Sequence, residues 1–312
     1  VVSPCRVFVY GEIGLDNTIQ VPYFPTSGKD AGVIADSYEA GGAGSNVAIF
    51  LANWGIALRL SGNVLGDDFY GKEMLSFLKA YPCLDLQYLK ILPGTPSPFC
   101  RIIVNSEGDR IILFYHAENL PVVPLEPEML AGAGILVLDL NGGSERVEAA
   151  ITGKTLGLRT VVTDVMSPDH PILPYSDLVT NSAVMIRHRY PGVDVRERAF
   201  QLQGGTGRVV ITTDGPRAIH VVCPGPQEFW VQPPRVTAVD TTGCGDALKA
   251  GVIYGMVQDW SWQDCVRWGA AAGSLNARQP HSRVELAHHG ENRAIPGLPA
   301  RPRHWRCAGR SG

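Results

Sequence analysis

The stretch VDTTGCGDALKAG, residues 239–251, sets Asp246 just behind Gly243, Cys244 and Gly245, at the start of a segment that then turns apolar nearly all round. That segment, LKAGVIYGMV, has the composition of a buried helix. The first-turn N–H groups of a helix have no carbonyl partners within it, and the helix dipole adds positive potential at the same end. Small residues let an anion approach such a backbone closely, so the stretch is a candidate phosphate site. A carboxylate there is unfavourable for binding alone, but it suits a general base that takes a proton from a hydroxyl attacking the phosphate. The alternative is that Asp246 simply caps the helix.

Outward from this stretch, short β-branched runs recur: RVFVY (6–10), LRLSGNV (58–64), ILVLDL (135–140), RTVVTD (159–164), DLVT (177–180) and RVVITT (208–213). Helical segments separate them, which predicts an α/β fold with a mostly parallel sheet covered on both faces. Strand-like WVQPPRV (230–236) leads into the opening stretch. In GGAGSNVAIFLANWG (41–55), Val47, Phe50, Leu51 and Trp54 fall at helical spacing and Gly55 sits where a C-terminal cap belongs, so GGAGSN opens a helix. Between 98 and 115, CRIIV and RIILFYH flank the turn-forming NSEGD and predict an antiparallel hairpin. The Pro-, Gly- and Thr-rich stretch from Asn17 to Asp36 is expected to add strands, and the two inserts to meet as a small lid over one end of the main sheet. From about residue 288 no period is sustained, and a mobile tail is expected.

With 312 residues, 45% of them hydrophobic and 18% charged, the chain reads as a soluble globular protein. Its formal charge is −3, and residues 281–312 carry six Arg against two Glu, so the preceding residues are more acidic still. That balance argues against a nucleic-acid partner. The seven cysteines (Cys5, Cys83, Cys100, Cys223, Cys244, Cys265, Cys307) are scattered and never form C-x-x-C, which fits a reduced compartment and indicates neither a disulfide framework nor a zinc site. No apolar run approaches the roughly 18 residues needed to span a bilayer, and VVSPCRVFVY lacks the layout of a secretory signal, so a cytoplasmic protein with no membrane partner is expected. TGKTLG (152–157) contains Gly-Lys-Thr, but Glu148 stands where a Walker A loop needs glycine, and a surface turn is expected instead. His288 and His289 have no companion ligands, and Trp260, Trp262 and Trp268 are read as core and interface rather than as a stacking platform.

DTTGCGD (240–246) resembles the D-T-x-G-A-G-D signature of the ribokinase-like (PfkB) carbohydrate kinase family, with Cys244 for the usual alanine and Leu248 for the usual aromatic. GGAGSN (41–46) is similar to the family's G-G-x-x-x-N segment, and GEIGLD (11–16) to its first strand and substrate-binding acid. Softer likenesses are VVITTDGPRAIHV (209–221) to the strand and turn covering the nucleotide, GAAAGSLNAR (269–278) to the helix lining the adenine pocket, and SDLVTNS (176–182) to the approach to N-x-x-E. The resemblance implies a three-layer α/β/α ribokinase-like fold, with a mostly parallel central sheet and a small β-sheet lid from about 12–38 and 96–118. The kinase domain would cover 1–287 and a flexible tail 288–312.

By the same resemblance Asp246 is the catalytic base, Gly243, Cys244 and Gly245 form the anion hole for the γ-phosphate, and Asp240 and Thr241 shape the loop. Cys244 should be tolerated there because the backbone N–H does the work. Asp16, Gly41, Gly42 and Asn46 would bind the substrate, and Asn181, Thr213, Gly215 and Asn276 the nucleotide. ATP and Mg2+ are implied, and a monovalent cation is left open. The implied reaction moves the γ-phosphate of ATP to a hydroxymethyl group of a small sugar. The alternatives are a nucleoside kinase of adenosine, inosine or pseudouridine type, with Phe99, Phe114 or Tyr23 as aromatic clamp, and a non-catalytic sugar- or nucleotide-binding homologue. Exposed lid edges would suit a homodimer. Two positions depart from the pattern: Val184 stands in place of the glutamate of N-x-x-E, and Ala43 where ribokinases commonly carry lysine.

Overall fold

In the computed structural model, which describes residues 5–116, 120–225 and 227–278, the chain builds two sheets. The strands are β1 (Val7–Gly11), β2 (Gly14–Gln20), β3 (Ala35–Gly41), β4 (Leu58–Gly62), β5 (Leu84–Asp85), β6 (Phe99–Val104) and β7 (Arg110–Tyr115). They continue as β8 (Ile135–Leu138), β9 (Arg159–Val162), β10 (Leu178–Ser182), β11 (Val209–Thr213), β12 (Ile219–Val222) and β13 (Glu228–Val231). The helices are α1 (Ala43–Asn53), α2 (Phe69–Lys79), α3 (Glu145–Thr155), α4 (Ala183–Arg189), α5 (Val195–Gln203), α6 (Cys244–Val257) and α7 (Trp262–Asn276).

The large sheet runs β13-β12-β11-β10-β9-β8-β1-β4-β5, parallel from β11 to β5 and antiparallel at β12 and β13. Side chains alternate across it. Val7 and Val9 join the core shared with α1, α2, α6 and α7, while Phe8 and Tyr10 join the core on the side of α3 and α5. This is the three-layer fold expected. β1 lies between β4 and β8, so the chain leaves it first to one side and later returns on the other. Such a switch point opens a crevice beyond the carboxyl ends of the strands.

The smaller sheet runs β3-β2-β6-β7, with the β6–β7 hairpin as expected and β2 pairing parallel to β6. Its register sets Asp16 opposite Glu39 on one side and Cys100 on the other. Phe99 is sandwiched between Tyr70 of α2 at 3.8 Å and Tyr115 at 4.3 Å between ring centroids, which seats the lid on the body. Phe99 is therefore lid packing.

Close approaches set the positions of α1, α6 and α7. Gly42, the N-cap of α1, has φ +87°, and a Cβ there would meet the Glu12 carbonyl oxygen at 2.6 Å. Between α6 and α7, a Cβ on Gly251 would lie 2.6 Å from Gly269 Cα, and one on Gly269 would lie 2.6 Å from the Leu248 carbonyl oxygen. The two helices thus touch backbone to backbone.

Several expectations change. Residues 152–155 of TGKTLG form the last turn of α3 rather than a surface turn, because Gly153 packs against Leu136 beneath it. The strand expected in WVQPPRV ends at Val231, ahead of Pro233 and Pro234, which cannot donate to a ladder. Cys5, Cys100, Cys223, Cys244 and Cys265 are free thiols, whereas Cys83 is disulfide-bonded, a link that the scattered spacing did not signal. Trp260 and Trp268 pack with Tyr254 against the core, as expected. Among the described residues no helix is long and apolar enough to cross a membrane. The expected tail and the His288–His289 pair lie outside the described residues.

Candidate active site

Gly243 enters α6 with φ +70° and offers no side-chain cap, so the helix start is closed by backbone alone. The loop before it is tightly held. Asp240 Oδ1 accepts from the Thr242 N–H at 2.8 Å, and Asn276 Nδ2, from the last turn of α7, donates to the Thr242 carbonyl at 2.7 Å. Asn276 is fully buried beneath the loop. The Cys244 N–H turns back to the Thr241 carbonyl at 3.3 Å, and its side chain lies against Asn276, with Nδ2 and Sγ 3.6 Å apart. Burial pushes the Cys244 thiol above its ordinary range, so it stays neutral and adds no negative charge to an anion site.

Asp246 lies in the first turn of α6 and is held at both oxygens. Asn46 Nδ2 of α1 donates to Oδ2 at 3.0 Å, and Lys249 Nζ approaches Oδ1 at 3.2 Å. Lys249 also reaches Asp164 Oδ2, just past β9, at 2.7 Å. Across the cleft, Asp16 of β2 lines a pocket with Glu12, Gly42, Cys100 and Phe114. Burial, then the neighbouring charges of Glu12, Glu39 and Asp246, push the Asp16 carboxyl up to about 7. Gly41 makes room for this carboxylate, because a Cβ there would overlap it. Burial, then the charge of Asp139, also raises Glu12, whose side chain accepts from Asn141 Nδ2 at 2.6 Å. Asp139, at the end of β8, accepts from the Glu12 N–H at 2.6 Å and so ties the two banks of the crevice together.

Of the residues expected from sequence, Asp16, Asn46 and Asp246 thus converge, with Gly41 and Gly42 shaping the wall beside them. The nucleotide set is more dispersed. Asn181 is buried in β10 with its side-chain amide lacking a hydrogen-bond partner among the described residues. Thr213 Oγ1 donates to the Asn181 carbonyl at 3.2 Å, and Gly215 occupies an exposed turn at φ +59°. Val184 is 53% exposed at the position of the missing glutamate. Sequence reasoning missed Glu12, Glu39, Asp164, Lys249 and Arg110. Lys249 alone carried a signal, as a lone charge inside an apolar helix. Arg110 of β7 reaches across to Thr242 Oγ1 at 2.9 Å, so the lid touches the loop before α6.

A helix start lined by small residues, with a carboxylate beside it and an acidic pocket facing it across a switch-point crevice, defines a phosphotransferase acting on a hydroxyl. The chain belongs to the pfkB family of carbohydrate kinases, whose signature matches residues 6–155 and 188–287. It is 25% identical over 284 residues to a ribokinase of Arabidopsis thaliana, covering 86% of this chain and 74% of that one. It is 26% identical over 291 residues to the acarbose 7(IV)-phosphotransferase of an Actinoplanes species, covering 89% and 94%. The solved structure of Arabidopsis thaliana ribokinase complexed with ribose and ATP shares the fold, with a TM-score of 0.76, 19% identity and coverage of 89% and 94%.

Proposed function

We propose that this carbohydrate kinase moves the γ-phosphate of ATP to a hydroxymethyl group of a small sugar bound between lid and body. The observation that carries the reading is Asp246, set in the first turn of a helix with no side-chain cap and joined to Asn46 on the acceptor side. Asp246 takes the proton of the acceptor hydroxyl while that oxygen forms a bond to Pγ. The bond from Pγ to the β,γ-bridging oxygen breaks, and ADP leaves with its electron pair. The N–H groups of Gly243 and Gly245 and the dipole of α6 stabilise charge on the transferring oxygens, the Cys244 N–H being turned to the Thr241 carbonyl. Asp16 accepts hydrogen bonds from the sugar's other hydroxyls, as a carboxylate can do several times over.

The small pocket beside Asp16 is lined by the carboxylates of Glu12 and Asp16 and by no lysine or arginine among the described residues, which supports an acceptor that offers hydroxyls to Asp16. Phe114 lines the same pocket and is 66% exposed, which supports a nucleoside as second reading. The donor set does not fit a dedicated metal site, because the described residues hold no group of three or more His, Cys, Asp or Glu able to bind an ion. Magnesium in this reading accompanies the nucleotide. Ile111, Ile112, Leu113 and Phe114 are exposed along β7, at one edge of the lid sheet, and support a homodimer formed through the lid.

ADP release from ATP and magnesium against ribose, fructose, 2-keto-3-deoxygluconate, adenosine, inosine and pseudouridine tests the reaction. Turnover is expected on one acceptor, with Asp246→Asn lowering kcat by roughly a hundredfold or more and leaving ATP affinity by calorimetry nearly intact. Full activity in the Asn variant would remove Asp246 from the mechanism. Silence on every acceptor with ligand still bound would favour the non-catalytic homologue.

A further inference from the structure

Lys249 is the one charged residue of α6 beyond Asp246, in a helix otherwise buried from Ala247 to Val257. Three residues apart, the two side chains share one face of the helix. The lysine side chain is only 12% exposed, and its ammonium touches two carboxylates, Asp246 at 3.2 Å and Asp164 at 2.7 Å. A lysine placed only to reach solvent, or neutralised by a single counter-charge, would not need the base as a second partner. Asp164 holds its position from a left-handed backbone, at φ +65°, which aspartate tolerates better than most residues. The result is a fixed ion triad under the cleft.

We propose that Lys249 is a positioning residue, which, anchored on Asp164, holds the Asp246 carboxylate turned toward the acceptor hydroxyl. Its part in turnover rests on the kinase reading, whereas the ion triad does not. The groups around Asp246 make the need plain. Asp16 of β2 and Asp164 past β9 are acidic, Asn46 of α1 is neutral, the Cys244 thiol is neutral, and Arg110 of β7 is engaged at Thr242. Among the described residues, Lys249 is the cation in direct contact with the base. With Asn46 on the other oxygen, it fixes the carboxylate from two elements at once. Asp246 and Asp164 together hold the Lys249 ammonium charged across any working pH, raising it although burial opposes this.

The test is the titration of Asp246 itself, read by carbon NMR on protein labelled at the aspartate carboxyl carbons and assigned with Asp246→Asn. Lys249→Met is expected to raise the Asp246 midpoint by about one pH unit or more, and Lys249→Arg to restore most of it. Asp164→Asn leaves the ammonium to Asp246 alone, and is expected to lower the midpoint. If Lys249→Met does not fold by circular dichroism, Lys249→Gln gives the same reading. An unmoved midpoint in the folded neutral variant would overturn the proposal even if the wild type phosphorylates a sugar. A moved midpoint in a protein that turns over none of the acceptors would sink the kinase reading and leave the positioning intact. With turnover present, the acid limb of kcat is expected to move up with the midpoint in Lys249→Met.

Discussion

Asp16 is a carboxylate whose folded environment favours its neutral form, and that has consequences of opposite sign for binding and for stability. With the group pushed up to about 7, only about a tenth is ionised one pH unit below and about nine tenths one unit above. Acceptor affinity is therefore expected to tighten about tenfold between pH 6 and 8, and Asp16→Asn to flatten that dependence and weaken binding throughout. A flat wild-type profile by calorimetry would refute it. For stability, the folded state holds this proton more tightly than the unfolded chain. Stability is lost as pH rises from the ordinary carboxylate value of 3.8 toward 7. The stability advantage of Asp16→Asn is thus expected to grow across that window and level off above it, measurable as Tm against pH.

The seam between α6 and α7 shows how helix packing behind the site shapes it. Gly251 and Gly269 let the helix backbones meet, and this draws the last turn of α7 inward until Asn276 reaches the Thr242 carbonyl. Gly269→Ala is expected to cost about 1–3 kcal/mol and lower Tm by several degrees, because a Cβ there meets backbone that cannot yield cheaply. Turnover should fall further than stability alone explains, as Asn276 withdraws from the loop. Unchanged Tm and kcat would refute the seam's role. Elements of this kind mark the limit of what the sequence disclosed. The β-branched strands, the hairpin around NSEGD and the helix starts at Gly42 and Gly243 were legible, because period, turn chemistry and capping are local properties. Asp164 and Glu39 were not, since each becomes part of the site only when distant strands fold beside β2 or α6. β5 was missed because its two residues are too few to carry a period.

At the scale of the whole molecule, the lid exposes Ile111 and Leu113 at 42% and 41%, on the face of β7 opposite Arg110 and Phe114. If two copies pair there, Ile111→Lys is expected to halve the mass seen by light scattering, with the far-UV spectrum unchanged. A protein already monomeric at micromolar concentration would remove the dimer. Inside one copy, the same strand carries Arg110 to Thr242, so the sheet bearing Asp16 and the loop preceding the phosphate helix share a hydrogen bond. Two binding sites joined through one contact obey thermodynamic reciprocity. Whatever factor nucleotide adds to sugar affinity, sugar must return to nucleotide affinity, and Arg110→Ala should shrink both by the same ratio.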